Sequence, residues 1–317
     1  MTFRRPTARV LAAATALAAL GAVAACGQEG TGADPQRVDV AAAFYPLQFV
    51  TERVGGDAVR VVNLTKPGAE PHDLELTPGQ VGEVSRAELI VYLSGFQPAV
   101  DEAVEINGGD RAFDVASIQP LLPASAGGHE HGGGEAHGGE AGHAGGRDRH
   151  LWLDPTRLAG VADRLAGRLA EVDPGRSADY TARAGTLRAD LERLDRDFAE
   201  GLRTCQRREI VVSHTAFGYL AERYRLEQVG LTGLAPEDEP PPRRLAEVAR
   251  ESREHGATTI FFETLVSPKV AETVAREVGA RTAVLDPLEG LSADDGGDYL
   301  SVMRTNLASL RTALDCS

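Results

Sequence analysis

The sequence predicts an α/β protein with two lobes, each a parallel sheet with crossover helices, joined by one long helix. Three observations lead there. Short β-branched runs alternate with helical patterns in both the first and the last third of the chain, which is the mark of parallel strands linked by crossovers. Between the two sets lies a single long helical pattern, from about Arg176 to Leu202. The length of 317 residues accommodates about two domains, and a 42% hydrophobic fraction is enough for a sizeable core.

The N-terminus reads MTFRRPTARVLAAATALAALGAVAAC. Arg4, Arg5 and Arg9 precede an apolar run, Val10 to Val23, that is short and alanine-rich for a membrane span. It fits the positively charged and apolar regions of an export signal. The small residues ending at Cys26 resemble a bacterial lipoprotein signal, in which that cysteine becomes the lipidated first residue. A plain signal peptide or an N-terminal anchor are the alternatives. The expected organisation is a signal peptide at 1–25, a polar flexible tether at 26–37, a first α/β lobe at 38–173, a linker helix at 174–203 and a second α/β lobe at 204–317.

Within the first lobe, VDVAAAFYPL (38–47) starts as a strand and turns at Pro46. VRVVNL (59–64), ELIVYL (88–93) and the weaker RAFDV (111–115) are the next strands, with a helical stretch opening near Pro78. PTRLAGVADRLAGRLAEV is a helix begun by Pro155. In the long central helix Leu187, Leu191, Leu194, Phe198 and Leu202 recur at spacings of three and four, so one stripe is apolar. After Cys205 come the strands EIVVS (209–213), TTIFFE (258–263) and RTAVLD (281–286), separated by helices, with a last helix from DYLSVMRTNLASLRTAL. Export to an oxidising compartment permits a disulfide between Cys205 and Cys316, which would pin the tail to the second lobe; two unpaired thiols are the alternative.

One stretch does not fit a folded lobe. GGHEHGGGEAHGGEAGHAGG (127–146) carries His129, His131, His137 and His143 and no aliphatic residue larger than Ala. Such a segment cannot bury a core and is expected as a disordered loop spanning 124–147. Its histidines can chelate a metal weakly, because each binding event must order the chain. A neutral linker is the alternative.

The remaining histidines are His72, His150, His214 and His255. His72 and His214 follow predicted strands, as does Asp286, and open α/β sheets place ligand-binding groups there. His255 lies near the end of a charged helix and reads as structural or solvated. The net charge of -14 argues against nucleic acid as a partner. No GxxxxGK[ST] loop marks an ATPase, and no HExxH helix marks a zinc hydrolase, so no enzyme is indicated.

PGAEPHDLELTP, RHLWLDP, IVVSHTAFGYLAERY, LTGLAPEDEPPPRRLAEV, TIFFETLVSPKVAETVAREVG and VLDPLEG occur in an order that resembles the metal-binding lipoproteins of bacterial ABC importers, in their zinc-specific branch. The resemblance covers nearly the whole chain beyond the leader. It implies two lobes held by one rigid helix with a metal in the cleft between them. It implies His72, His150, His214 and Asp286 as ligands, with water the alternative to Asp286. Three imidazoles and a carboxylate suit tetrahedral Zn²⁺, whereas manganese prefers oxygen-rich sites. Glu263 and Glu70 are implied as outer supports of the ligands, and Glu263 could equally be a plain cleft wall. The His-rich loop matches an accessory metal-collecting insert. The implied partners are an ABC permease and, through Cys26, the outer face of the cell membrane, with the chain acting as a monomer. Manganese or iron binding and surface adhesion are the alternatives within the family. One departure is local: Asp148-Arg149-His150 stands where relatives often have Asp-Pro-His.

Overall fold

The computed structural model describes residues 1–2, 37–124, 146–236, 239–291 and 297–317. The leader with Cys26, most of the tether, and His129, His131, His137 and His143 lie outside the described residues. Residues Pro35–Ser317 form one unit, to which the following description refers.

Two four-stranded sheets, all parallel, organise it. The first holds β1 (Val38–Ala42), β2 (Val59–Asn63), β3 (Leu89–Tyr92) and β4 (Ala112–Asp114) in the order β2-β1-β3-β4. The second holds β5 (Glu209–Val212), β6 (Glu227–Gly230), β7 (Thr259–Phe262) and β8 (Arg281–Val284) in the matching order β6-β5-β7-β8. In each sheet the first strand of the lobe is flanked by the second and third, so crossovers leave in opposite directions from it. The carboxyl ends beside that strand form the crevice where such sheets bind ligands.

The helices are α1 (Tyr45–Gly55), α2 (Pro78–Arg86), α3 (Pro98–Asn107), α4 (Pro155–Val172), α5 (Ser177–Gly201), α6 (Gly218–Tyr224), α7 (Pro242–Glu254), α8 (Lys269–Val278) and α9 (Tyr299–Leu314). Proline occupies the first turn of α1, α2, α3, α4 and α7, where its missing N–H has no partner to lose. Three of these elements depart from the sequence reading. Pro46 lies in the first turn of α1 rather than ending a strand in a turn, α3 opens at Pro98 where no helix is expected, and the four-residue edge strand β6 has too little alternation to stand out.

α5 is the long central helix. It buries Tyr180, Ala184, Leu187, Leu191, Leu194 and Phe198, alternating spacings of four and three along one stripe. It is braced from both lobes. Arg53 of α1 pairs with Asp190 at 2.6 Å, and Arg223 of α6 forks onto Asp195 at 2.9 and 2.8 Å. Phe198 stacks on Tyr224 at 5.0 Å. A continuous core runs from the first sheet through α4, α5 and α9 to one face of the second sheet, and a smaller one lies under α7 and α8. Cys205 and Cys316 are bonded, with Arg207 N–H donating to the Leu314 carbonyl beside them at 3.1 Å. The tail is thus fastened at the amino end of β5. Among the described residues no helix is long and apolar enough to cross a membrane.

Candidate metal centre

Four side chains converge where the carboxyl ends of the two sheets face each other: His72, His150, His214 and Glu289. His72 lies in the loop after β2, His214 two residues after β5, and Glu289 five residues after β8. His150 opens a short 3-10 turn, Leu151–Leu153, that leads into α4. His150, His214 and Glu289 are buried, and the His72 side chain retains 12% exposure, which makes it the open side of the site.

Three ring nitrogens surround one carboxylate oxygen. Glu289 Oε1 lies 3.3 Å from His72 Nε2, 3.0 Å from His150 Nε2 and 3.1 Å from His214 Nε2. Ligands at ~2.0–2.1 Å from a tetrahedral zinc are about 3.3 Å apart, so these separations are close to the edges of that polyhedron.

The opposite ring nitrogens set the tautomers. His150 Nδ1 meets Asp148 Oδ1 at 2.8 Å, and His214 Nδ1 meets Glu263 Oε1 at 2.8 Å. A carboxylate only accepts, so both Nδ1 atoms carry hydrogen and both Nε2 atoms turn lone pairs toward Glu289. His150 Nε2 is buried and makes no hydrogen bond, despite its 3.0 Å approach to Glu289. Lone pairs facing a carboxylate require a cation between them or a proton on each ring. Burial pulls the His214 ring down, but Glu263 and Glu289 outweigh it and hold the ring well above the usual imidazole value. Burial likewise lowers His150, and the Asp148 and Glu289 carboxylates beside the ring more than reverse that. Burial would raise Glu289; His214, His150 and His72 drive it well below the usual carboxylate range. The donor set therefore fits a divalent cation, and its chemistry of three imidazoles and one carboxylate fits zinc.

The structure brings His72, His150 and His214 together and leaves Asp286 out; the carboxylate in the cluster is Glu289, three residues further on. The reason is local. Asp286 Oδ2 accepts from Thr264 Oγ1 at 2.9 Å, and its Oδ1 accepts the Leu288 N–H at 2.7 Å. Asn306 clasps its backbone from α9, accepting its N–H at 2.9 Å and donating to its carbonyl at 2.7 Å. Asp286 thus builds the turn that presents Glu289. Both acids stand in VLDPLEG and both are buried; what distinguishes them is that Thr264 and the Leu288 N–H occupy the Asp286 oxygens while Glu289 Oε1 faces the three rings, which sequence alone does not reveal.

The supporting groups also sort by place. Glu263 touches the His214 ring, whereas Glu70 accepts the backbone N–H of His72 at 2.9 Å and shapes its loop. Asp148, which the sequence reading did not single out, orients His150. Gly218 makes room for it: a Cβ there would lie 2.4 Å from Asp148 Oδ2. Arg149 ties this segment to the Ser94 carbonyl at 2.7 Å and to the Arg147 carbonyl at 2.8 Å. His255 is far more exposed and lies beside Glu209 at the other end of β5.

Residues 40–313 match the family model described as zinc-uptake complex component A, periplasmic. A high-affinity zinc uptake system protein, ZnuA, of Bacillus subtilis (strain 168) is 36% identical over 300 residues, covering 92% of this chain and 93% of that one. The zinc-binding protein AdcA of Streptococcus pyogenes serotype M3 is 33% identical over 290 residues; the match covers 88% of this chain but 56% of AdcA, so this chain spans about half its length. Among solved structures, the Zn(II)-bound ZnuA-like domain of Streptococcus pneumoniae AdcA superposes with a TM-score of 0.73 at 29% identity, over 88% of this chain and 99% of that one. The laminin-binding protein Lmb of Streptococcus agalactiae, described as having adhesin and metal-transporting activity, gives 0.75 at 28% identity, over 87% and 99%.

Proposed function

Because the chain belongs to the periplasmic zinc-uptake component A family, we propose that it captures Zn²⁺ outside the cytoplasm and delivers it to the permease of an ABC importer. The observation that carries this reading is the approach of three imidazole Nε2 atoms to one carboxylate oxygen at 3.0–3.3 Å. Zinc is cargo here, and His72, His150, His214 and Glu289 hold it. Manganese would call for more oxygen donors. A hydrolytic zinc site needs an open coordination position, and Glu289 fills the fourth.

Zinc enters past His72, the least buried ligand, and displaces the protons that the buried rings carry in its absence. His72 and Glu289 sit on loops, whereas His214 follows β5 directly. Release on the permease proceeds by withdrawal of one of those loops. The lobes correspond to 38–173 and 204–317, joined by the helix at 174–203. A lipid on Cys26 anchors the monomer to the outer face of the membrane, and His129, His131, His137 and His143 collect zinc as an accessory to the main site.

The test is metal content and competition titration of a chain starting at residue 27, with and without residues 127–146, beside His214→Ala. The expected result is one tight zinc per chain, kept without 127–146 and lost in His214→Ala. Tight binding that vanishes with 127–146 and survives His214→Ala would move the site to that segment and overturn the proposal.

A further inference from the structure

Glu289 is aimed by a strained turn. Leu288, fully buried, has φ 59°, in the left-handed region that non-glycine residues rarely occupy. Such a residue persists only where its surroundings over-determine the backbone. On one side Asp286 accepts the Leu288 N–H. On the other, the carbonyl of Pro287 accepts a hydrogen bond at 2.7 Å from the indole Nε1–H of Trp152.

Trp152 comes from the other lobe. It stands two residues beyond His150, on the 3-10 turn that presents that ligand. Its ring lies 5.2 Å from the His150 ring and packs at 4.9 and 5.3 Å against Phe44 and Phe96. Its own carbonyl accepts from the hydroxyl of Tyr299 at the start of α9. The indole is 1% exposed, so its N–H has no water to turn to. One side chain therefore touches one ligand's ring and fixes the peptide plane two residues before another ligand.

We propose that Trp152 is a positioning residue for the fourth ligand: its indole N–H holds the Pro287 carbonyl, and through it the left-handed turn at Leu288 that aims Glu289 at the three histidines. This rests on the reading of Glu289 as a ligand. Loss of the N–H frees the Pro287–Leu288 peptide to relax, and Glu289 then swings out while the three imidazoles stay.

The experiment compares wild type, Glu289→Ala, Trp152→Phe and the double variant, with Co²⁺ as a spectroscopic probe and Zn²⁺ in competition titrations. A fifth protein carries benzothienylalanine at position 152, which keeps the indole's shape and replaces only its N–H with sulfur. Both replacements of Trp152 are expected to weaken zinc about 10-fold or more, in the range of outer-shell support. They should move the Co²⁺ absorption to that of Glu289→Ala. In the Glu289→Ala background the Trp152→Phe change should cost almost nothing further. An equal loss in both backgrounds, or an unchanged Co²⁺ spectrum with benzothienylalanine, would overturn the inference and leave Trp152 a packing residue. If Glu289→Ala itself leaves affinity and spectrum unchanged while His214→Ala abolishes binding, the ligand assignment fails and this inference with it, while zinc capture stands.

Discussion

Two acids three residues apart, Asp286 and Glu289, are both buried yet meet different partners: the Thr264 hydroxyl and Leu288 N–H for the first, the three imidazoles for the second. Their substitutions should separate cleanly. Glu289→Ala removes a ligand and leaves the fold's hydrogen bonds, so zinc affinity should fall more than about 100-fold, beyond what outer-shell groups usually contribute. Removing Glu289 also takes away the carboxylate that faces the protonated rings, so the metal-free protein should lose some stability near neutral pH, and zinc affinity is what tells the two substitutions apart. Asp286→Ala orphans the Thr264 hydroxyl and the Leu288 N–H and should lower stability by about 1–3 kcal/mol in denaturant unfolding of the metal-free chain. Reversed effects in isothermal titration and unfolding would reinstate Asp286 as the ligand. The protonation of the site gives a second prediction. His150 and His214 are held above the ordinary imidazole value of ~6.5, so their contribution to metal-free stability is full below that value and is lost as pH rises through their raised values. Glu289 is held low, so its contribution is present above the ordinary carboxylate value of ~4.3 and is lost as pH falls through its depressed value. Zinc takes the place of the ring protons, so zinc affinity should climb across neutral pH while the metal-free melting temperature declines. A metal-free melting temperature flat across that range would show that the buried rings do not carry the extra proton.

At the scale of elements, the ligands sit at the carboxyl end of β5 and the disulfide at its amino end. The bond between Cys205 and Cys316 closes a separation of 111 residues. Replacing both cysteines by alanine should cost about 2–4 kcal/mol of stability. Zinc affinity should stay within error, since the bond lies before β5 and the ligands gather beyond its other end; a parallel loss of affinity would show that the tail bears on the site. α5 offers a sterner case. Leu191 is fully buried midway along it, and Leu191→Ala should destabilise by about 2–5 kcal/mol. Its apolar stripe was legible because spacings of three and four survive in any helix that packs on one side. α1 and β6 were not. Pro46 can end a strand or begin a helix, and only the helix is consistent with Phe49 stacked on Tyr299 at 5.2 Å. Four residues of an edge strand carry too little pattern to compete with the helix before them.

For the whole molecule, the two lobes are already fastened in this structure. Trp152 bonds to Pro287, Tyr299 to Trp152, Tyr219 to the Asp148 carbonyl, and Gly68 to the Leu291 carbonyl. With α5 braced from both sides, zinc should change the arrangement little. Scattering curves with and without zinc should therefore nearly superpose, while zinc at 100 times its dissociation constant adds about 2.7 kcal/mol of stability. A large domain closure on binding would show that these contacts do not hold the lobes in place.

Alternating strand and helix patterns, the long apolar stripe and the three histidines with their neighbouring motifs could be read from the sequence, because periodicity and ligand chemistry are local properties of a chain. The choice of the fourth carboxylate, the support of His150 by Asp148, and the reach of Trp152 to Pro287 were decided only by tertiary structure. Each depends on which groups from segments distant in sequence already occupy a neighbouring hydrogen-bonding position: Thr264 and Asn306 take Asp286, and the oxygen left facing the rings belongs to Glu289.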